Sequence, residues 1–182
     1  YATSKLNGEN EIKNIFNNYF ILKPSIIFSQ DDNFSTMLLG MLKLMPVFPI
    51  YYSGKTIFYP IHVTDICEII ENIILQEVTG ETIECIGPEK ISFKQIIQKI
   101  NKSINIKRIL IPTPLPVAKL FATFFEITMK KPLLTKDQLI LLSHDNKPSG
   151  KYKTNIDLKL NSNLKQFDQE LHKYSYMWKT GG

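Results

Sequence analysis

Strand-like and helix-like runs alternate from Tyr19 to Ile100, and nothing else in the sequence limits the fold as much. Tyr19 to Phe28 (YFILKPSIIF) is short, mainly apolar and rich in β-branched residues, which predicts a buried strand running into a loop at Ser29. Phe34, Met37, Leu38, Met41, Leu42 and Met45 then recur at helical spacing until Pro46 stops them. After a turn at Ser53-Gly54, Thr56 to Val63 reads as a strand. Ile66, Ile69, Ile70, Ile73 and Ile74 follow at i, i+3, i+4, i+7 and i+8, a helix that Thr64 can cap. Thr82 to Ile86 is another short strand, closed by Gly87-Pro88, and Ser92 can cap an amphipathic helix through Phe93, Ile96, Ile97 and Ile100. Such alternation predicts an α/β protein with a parallel sheet.

Outside this region the pattern is helical. Tyr1 to Phe16 reads as a helix with Leu6, Ile12 and Ile15 on its buried side. Leu115 to Ile127 and Thr135 to Leu142 follow each other with no obvious strand, and Thr135 with Gln138 forms a capping box. The tail after Asn146 is polar and weakly periodic until Leu171 to Trp178. The methionine-leucine stripe of residues 34 to 45 reads as structural core, because a 3.6-residue period marks one buried face.

Composition narrows the function classes. With 182 residues and 43% hydrophobic content, the chain has enough apolar material for a packed domain, which excludes a disordered or low-complexity protein. The net charge of +5 comes from 22 Lys+Arg against 17 Asp+Glu, and every basic residue but Arg108 is Lys. These lysines are scattered, with no block of five and no aromatic-basic motif, so nucleic acid is not an expected partner. Cys67 and Cys85 form no C-x-x-C and read as buried thiols of a reducing compartment. The longest apolar stretch, Thr36 to Tyr52, is broken by Lys43, Pro46 and Pro49, and is not expected to span a membrane. The first residue is Tyr1 rather than Met, so the chain reads as a fragment of a longer one.

Chemistry is concentrated at the start. Tyr1-Ala2-Thr3-Ser4-Lys5 spells Y-x-x-x-K, which on a helix puts the phenol and the amine on one face, roughly 5 to 6 Å apart. A phenol with a pKa of about 10 exchanges protons poorly at neutral pH, and a neighbouring ammonium favours the phenolate. The same amine can hold ribose hydroxyls. Spacing alone is weak evidence, since 8 Tyr and 21 Lys in 182 residues give roughly one match by chance. There are three. Tyr19/Lys23 falls in a predicted strand and Tyr51/Lys55 straddles a glycine turn, leaving Tyr1/Lys5 as the pair on a plausible helix.

The order of Y-A-T-S-K, Glu9, I-L-K-P-S-I-I-F (Ile21 to Phe28), G-K-T-I-F-Y-P-I-H-V-T-D (Gly54 to Asp65) and I-G-P (Ile86 to Pro88) resembles the second half of extended short-chain dehydrogenase/epimerase proteins. P-T-P-L-P-V-A-K-L (Pro112 to Leu120) and L-T-K-D-Q-L-I-L-L-S-H-D-N (Leu134 to Asn146) resemble one branch, which contains the dinucleotide-binding accessory subunit of respiratory complex I and its bacterial relatives. The resemblance implies the C-terminal part of a Rossmann-like sheet (residues 1–30 and 56–87) and a smaller, mainly helical substrate-side or partner-binding domain (31–55 and 88–182). It implies Tyr1 as acid/base and Lys5 as its electrostatic partner and ribose ligand. Pro24, Ser25, Ile26, Ile27 and Phe28 would lie beside the nicotinamide of NAD(P), in particular NADP(H). The glycine-rich turn, the residue selecting between the two dinucleotides and a third catalytic hydroxyl would all lie upstream of Tyr1.

Departures from the family matter equally. Sugar-nucleotide epimerases tend to place Arg between the glycine turn and V-x-D, where it grips a diphosphate. Phe58 stands there in this chain. Phe28-Ser29 replaces a common Tyr-Gly. The resemblance and the missing clamp together imply an accessory or assembly subunit of complex I, with other complex I subunits as partners and a mainly structural cofactor. Apolar surface from Phe34 to Phe48 would face those partners. The expected location is peripheral, at the cytoplasmic face of a bacterial inner membrane or the mitochondrial matrix side. The alternative is a free oxidoreductase, epimerase or dehydratase acting on a carbonyl compound or nucleotide sugar through Tyr1 and Lys5. Asp65 is expected to be a helix-terminal carboxylate, Asp31-Asp32 a helix cap, and His62 a strand-end histidine satisfied by a neighbour rather than a metal ligand. His144 and His172 lie far from His62 in sequence. Tyr174, Tyr176 and Trp178 either anchor a partner or a lipid headgroup layer, or form the last packed helix.

Overall fold

The computed structural model describes residues 2–130, 132 and 134–178. In chain order its elements are α1 (Ala2–Ile15), β1 (Phe20–Pro24), β2 (Ile27–Phe28), α2 (Asn33–Leu44), β3 (Val47–Ile50), a 3-10 turn (Tyr51–Gly54), β4 (Ile57–Phe58), β5 (Ile61–His62) and α3 (Val63–Leu75). There follow β6 (Glu81–Cys85), β7 (Ile91–Ser92), α4 (Phe93–Ser103), β8 (Ile109–Pro112), α5 (Leu115–Thr128), α6 (Lys136–Leu142), β9 (Lys153–Thr154), α7 (Phe167–Tyr174) and a second 3-10 turn (Ser175–Trp178). The expected α/β class with parallel pairing is present. β1, β6 and β9 form one parallel sheet in that order, with Phe20 opposite Glu81 and Ile83 opposite Lys153. β2 pairs in parallel with β5 and β3 with β8, whereas β4 and β7 are antiparallel.

Helix starts follow the sequence signals closely. Ser92 and Gln95 make a reciprocal capping box on α4, and Thr135 and Gln138 make one on α6. Asp32 caps α2, as its place before the apolar run suggests. α3 departs from expectation, because the ring of His62 and not the hydroxyl of Thr64 accepts from a first-turn N–H, that of Thr64 itself.

The strand expected from Thr56 to Val63 is two short strands in different sheets. Pro60 lacks an N–H and interrupts the ladder, and Gly87 closes on the break, its N–H donating to the Tyr59 carbonyl at 3.1 Å. Tyr19 to Phe28 likewise divides at Ser25-Ile26. The pairing of β3 with β8 and of β9 with β6 carried no comparable signal.

Burial is concentrated in three groups. α2, α4 and α7 enclose Leu42, Phe48, Ile96, Ile97, Ile100 and Phe167, while Ile61, Ile69, Ile73, Ile83 and Leu160 fill the space between α3 and the β1–β6–β9 sheet. Tyr51, Ala118, Ala122, Leu134 and Leu139 form the third group, where α5 meets α6. Tyr174 is buried in the first of these and Tyr176 is exposed. The side chain of Trp178 lies outside the described residues.

Three expectations about burial fail. Leu6, Ile12 and Ile15 on α1 are exposed, because no described element covers that stripe. Cys67 is exposed on α3, one position beyond the helix face that packs, and only Cys85 is a buried thiol. The apolar segment from Phe34 to Phe48 is mostly interior, since Leu38, Leu39, Met41, Leu42 and Phe48 turn into the core. An exposed apolar face lies on α5 instead. Ala118 and Ala122 pack inward there, and Leu120, Phe121, Phe124 and Ile127 face outward, Ile127 at 79% exposure.

Candidate functional site

The site expected from sequence is built at the end of β1, where parallel strands deliver their carboxyl ends and α/β proteins place their ligands. Beyond Pro24 the chain kinks at Ser25, which several segments hold. Its N–H donates to the Cys85 carbonyl at 2.9 Å. Its Oγ accepts from the Tyr59 N–H at 3.1 Å and lies 3.4 Å from the Asn146 carbonyl, to which it donates. The Ile26 carbonyl accepts from the Ile61 N–H at 2.9 Å, continuing into the β2–β5 pair. Through its amide and its hydroxyl, Ser25 thus fixes the loop against β6, the residue after β4 and the segment after α6.

The loop residues divide by exposure. Pro24 and Ile27 are exposed and Ile26 is half-buried, whereas Ser25 and Phe28 are buried. Phe28 packs edge-on against His62, with ring centroids 5.1 Å apart, and against Phe167 at 4.9 Å. Ser25 and Phe28 therefore shape the loop from behind. Tyr1 lies outside the described residues. Lys5 stands on exposed α1. One turn further along that helix, Glu9 pairs with Lys23 of β1 at 2.7 Å, which ties α1 to the strand leading into the loop.

Two cavities flank the loop, and Asn146 borders both. The smaller, about 120 Å³, is walled by Lys23, Pro24, Ser25, Glu84, Ile86, Asn146, Lys147 and Pro148, and is largely polar. Glu84 is already engaged there, its carboxylate accepting from the Ser149 N–H at 2.9 and 3.1 Å. The larger, about 210 Å³, is lined by Ile26, Phe34, Met37, Leu38, Met41, Phe48, Tyr51, Phe58, Phe93, Leu134, Gln138, Leu141, Leu142 and Asn146. No charged side chain is among them. Burial pushes the Tyr51 phenol up to about 12, so it stays protonated.

Phe58, which takes the place expected of a diphosphate-gripping arginine, is 5% exposed and forms part of that apolar wall. The only arginine, Arg108, is committed elsewhere. Its Nε donates to the Leu42 carbonyl at 2.6 Å and one terminal nitrogen to the Lys43 carbonyl at 3.3 Å, closing the C-terminal end of α2.

His62 and Asp65 do structural work. His62 Nδ1 lies 2.8 Å from Thr64 Oγ1, and the buried Asp65 carboxylate accepts from the Lys165 N–H at 3.0 Å. Burial lowers the imidazole pKa and raises that of the Asp65 carboxyl. His144 bonds with its neighbour Ser143, and His172 is exposed on α7. Among the described residues, no three His, Cys, Asp or Glu side chains gather where they could hold a metal. Sequence reading missed the larger cavity: its methionine and phenylalanine lining shows the same helical period as a filled core.

No protein-family model matches the chain. Curated relatives do. NADH dehydrogenase (ubiquinone) 1 alpha subcomplex subunit 9, mitochondrial, of Mus musculus is 26% identical over 137 residues, which is 75% of this chain and 36% of that protein. The NADH-ubiquinone oxidoreductase 40 kDa subunit, mitochondrial, of Neurospora crassa is 24% identical over 160 residues, 87% of this chain and 41% of that one. The chain thus spans about two fifths of the relatives it matches. Among solved structures, dTDP-4-dehydrorhamnose reductase of Bacillus anthracis in complex with NADP superposes with a TM-score of 0.63 at 18% identity, covering 97% of this chain and 54% of that chain. The chain is thus distantly similar to complex I subunits, and it shares its Rossmann-like fold with the solved NADP-bound reductase.

Proposed function

We propose that the protein is a nicotinamide-dinucleotide-binding accessory or assembly subunit of respiratory complex I, in which the cofactor is mainly structural. The observation that carries this reading is Phe58. An apolar ring occupies the place of a diphosphate clamp, and the single arginine is bound to main-chain carbonyls of α2, so a nucleotide sugar would meet no cation among the described residues that line the larger cavity. Relatives that are complex I subunits support it further. So does the outward apolar face of α5, a patch suited to burial against other subunits.

In this reading residues 1–30 and 56–87 belong to the dinucleotide domain, and residues 31–55 and 88–182 to the smaller substrate-side or partner-binding domain. NADP(H) is the proposed dinucleotide. Pro24, Ile26 and Ile27 are the surfaces on which the nicotinamide end would rest, with Ser25 and Phe28 holding the loop in shape. Their burial and exposure fit those roles. Lys5 would hold ribose hydroxyls and Tyr1 would stand beside it. A bound dinucleotide supplies hydride chemistry in principle. In this subunit its effect is to stabilise the native state by mass action. The proposed location is peripheral, on the matrix side or the bacterial cytoplasmic face; among the described residues, no helix is long and apolar enough to cross a membrane.

Purification separates this reading from a free reductase or epimerase. Co-migration with complex I and no turnover on a carbonyl and nucleotide-sugar panel support the accessory role. A free species with steady turnover that Tyr1→Phe abolishes overturns it.

A further inference from the structure

We infer that the 210 Å³ cavity between α2, α6 and β4 is a binding site for one hydrocarbon chain of a lipid, an acyl or prenyl chain whose polar end stays outside. The inference rests on the cavity alone and is independent of any role in complex I.

Its walls decide what can enter. Phe34, Met37, Met41, Phe58 and Phe93 present rings, thioethers and methylenes, and among the described residues no cation or carboxylate lines the space. Three polar residues touch it, and of their side chains that of Gln138 is already bonded. Gln138 Oε1 accepts from the Thr135 N–H at 3.0 Å, and its Nε2 sits 3.6 Å from Met37 Sδ. The Asn146 main chain is engaged by Ile57 and Ser25. The Tyr51 hydroxyl makes no hydrogen bond among the described residues. A nucleotide sugar is too charged for such walls. A slim apolar chain restores the dispersion contacts that the walls lack, and methionines adapt to its shape.

The backbone resists collapse of the cavity. Directly after Tyr51, three successive residues are left-handed: Tyr52 (φ 50°), Ser53 (φ 54°) and Gly54 (φ 66°). Two of these are not glycine, a strained conformation that persists only where surroundings impose it. A β-carbon on Gly54 would stand 2.7 Å from Lys94 Cβ and 2.9 Å from Ile50 Cγ2, so the turn is wedged between β3 and α4. Tyr51 is therefore held at the cavity wall and does not drop into the space.

The test is titration of the purified protein with cis-parinaric acid, a fluorescent fatty acid, followed by displacement. Saturable binding of about one probe per chain is expected. Displacement by oleate alone identifies an acyl chain, by farnesol alone a prenyl chain, and by both a site that accepts either; each supports the site. Met37→Trp fills the cavity and should weaken binding at least tenfold. Leu141→Asp puts a charge at the exposed mouth, where it should leave folding intact, and should weaken binding at least fivefold. No saturable binding, wild-type affinity in a folded Leu141→Asp protein, or displacement by UDP-glucose overturns the inference.

Discussion

Gly87 lies so close to Pro60 that a β-carbon built on it would stand 1.7 Å from the Pro60 carbonyl oxygen. The contact joins the loop after β6 to the break between β4 and β5, and it sits behind the turn that Ser25 organises. Gly87→Ala must push backbone apart on both sides. A loss of about 3 kcal/mol or more is expected, lowering the melting temperature by about 6 to 12 °C in a thermal scan.

Cysteine reactivity should report the packing of the central sheet. Burial pushes the Cys85 thiol up to about 12, whereas Cys67 is exposed on α3. Alkylation with iodoacetamide under native conditions is expected to label one thiol per chain, Cys67, and denaturation to release the second. Mass spectrometry of the labelled protein gives the count.

These two cases show what was legible in the sequence. The period of Ile66 to Ile74 and the Ser92 and Thr135 caps gave their helices directly, because capping and amphipathicity are local. Gly87-Pro88 was readable as punctuation, but its contact with Pro60 depends on chain 27 residues away. The β3–β8 pair and β9 are short strands defined by partners far along the chain, so no local alternation announces them. For the site, the loop from Pro24 to Phe28 was marked by resemblance, yet the division between its exposed and buried members is a tertiary property. The stripe of Phe34, Met37 and Met41 could not disclose a cavity, because the same spacing serves a packed core.

Acid should destabilise the fold through His62. Burial holds its imidazole below the ordinary value of 6.5, with Glu170 and Asp65 opposing the shift and Lys165 and Lys173 reinforcing it. Between the folded value and 6.5 the unfolded chain binds more protons, so stability falls as pH drops through that window. Asp65 acts oppositely: its raised carboxyl pKa means the folded chain binds more protons just above 3.8, at lower pH. His62→Asn retains a side-chain cap for α3 and should flatten the decline of melting temperature between pH 7 and about 5.5.

The outward face of α5 should matter for assembly and little for folding. Leu120 is 70% exposed and Phe124 58% exposed. The pair Leu120→Ser and Phe124→Ser is expected to change stability by less than about 1 kcal/mol in a denaturant titration. The same variant should recover markedly less complex I in a pull-down from detergent-solubilised membranes.

The most direct measurement is native electrophoresis of the tagged protein after mild detergent extraction from its own membranes, with in-gel NADH dehydrogenase staining and a dinucleotide assay on the excised band. The accessory role requires the protein to run with the stained complex and to release about one nicotinamide dinucleotide per chain on denaturation. A protein running alone, without dinucleotide or with carbonyl turnover of its own, would contradict it.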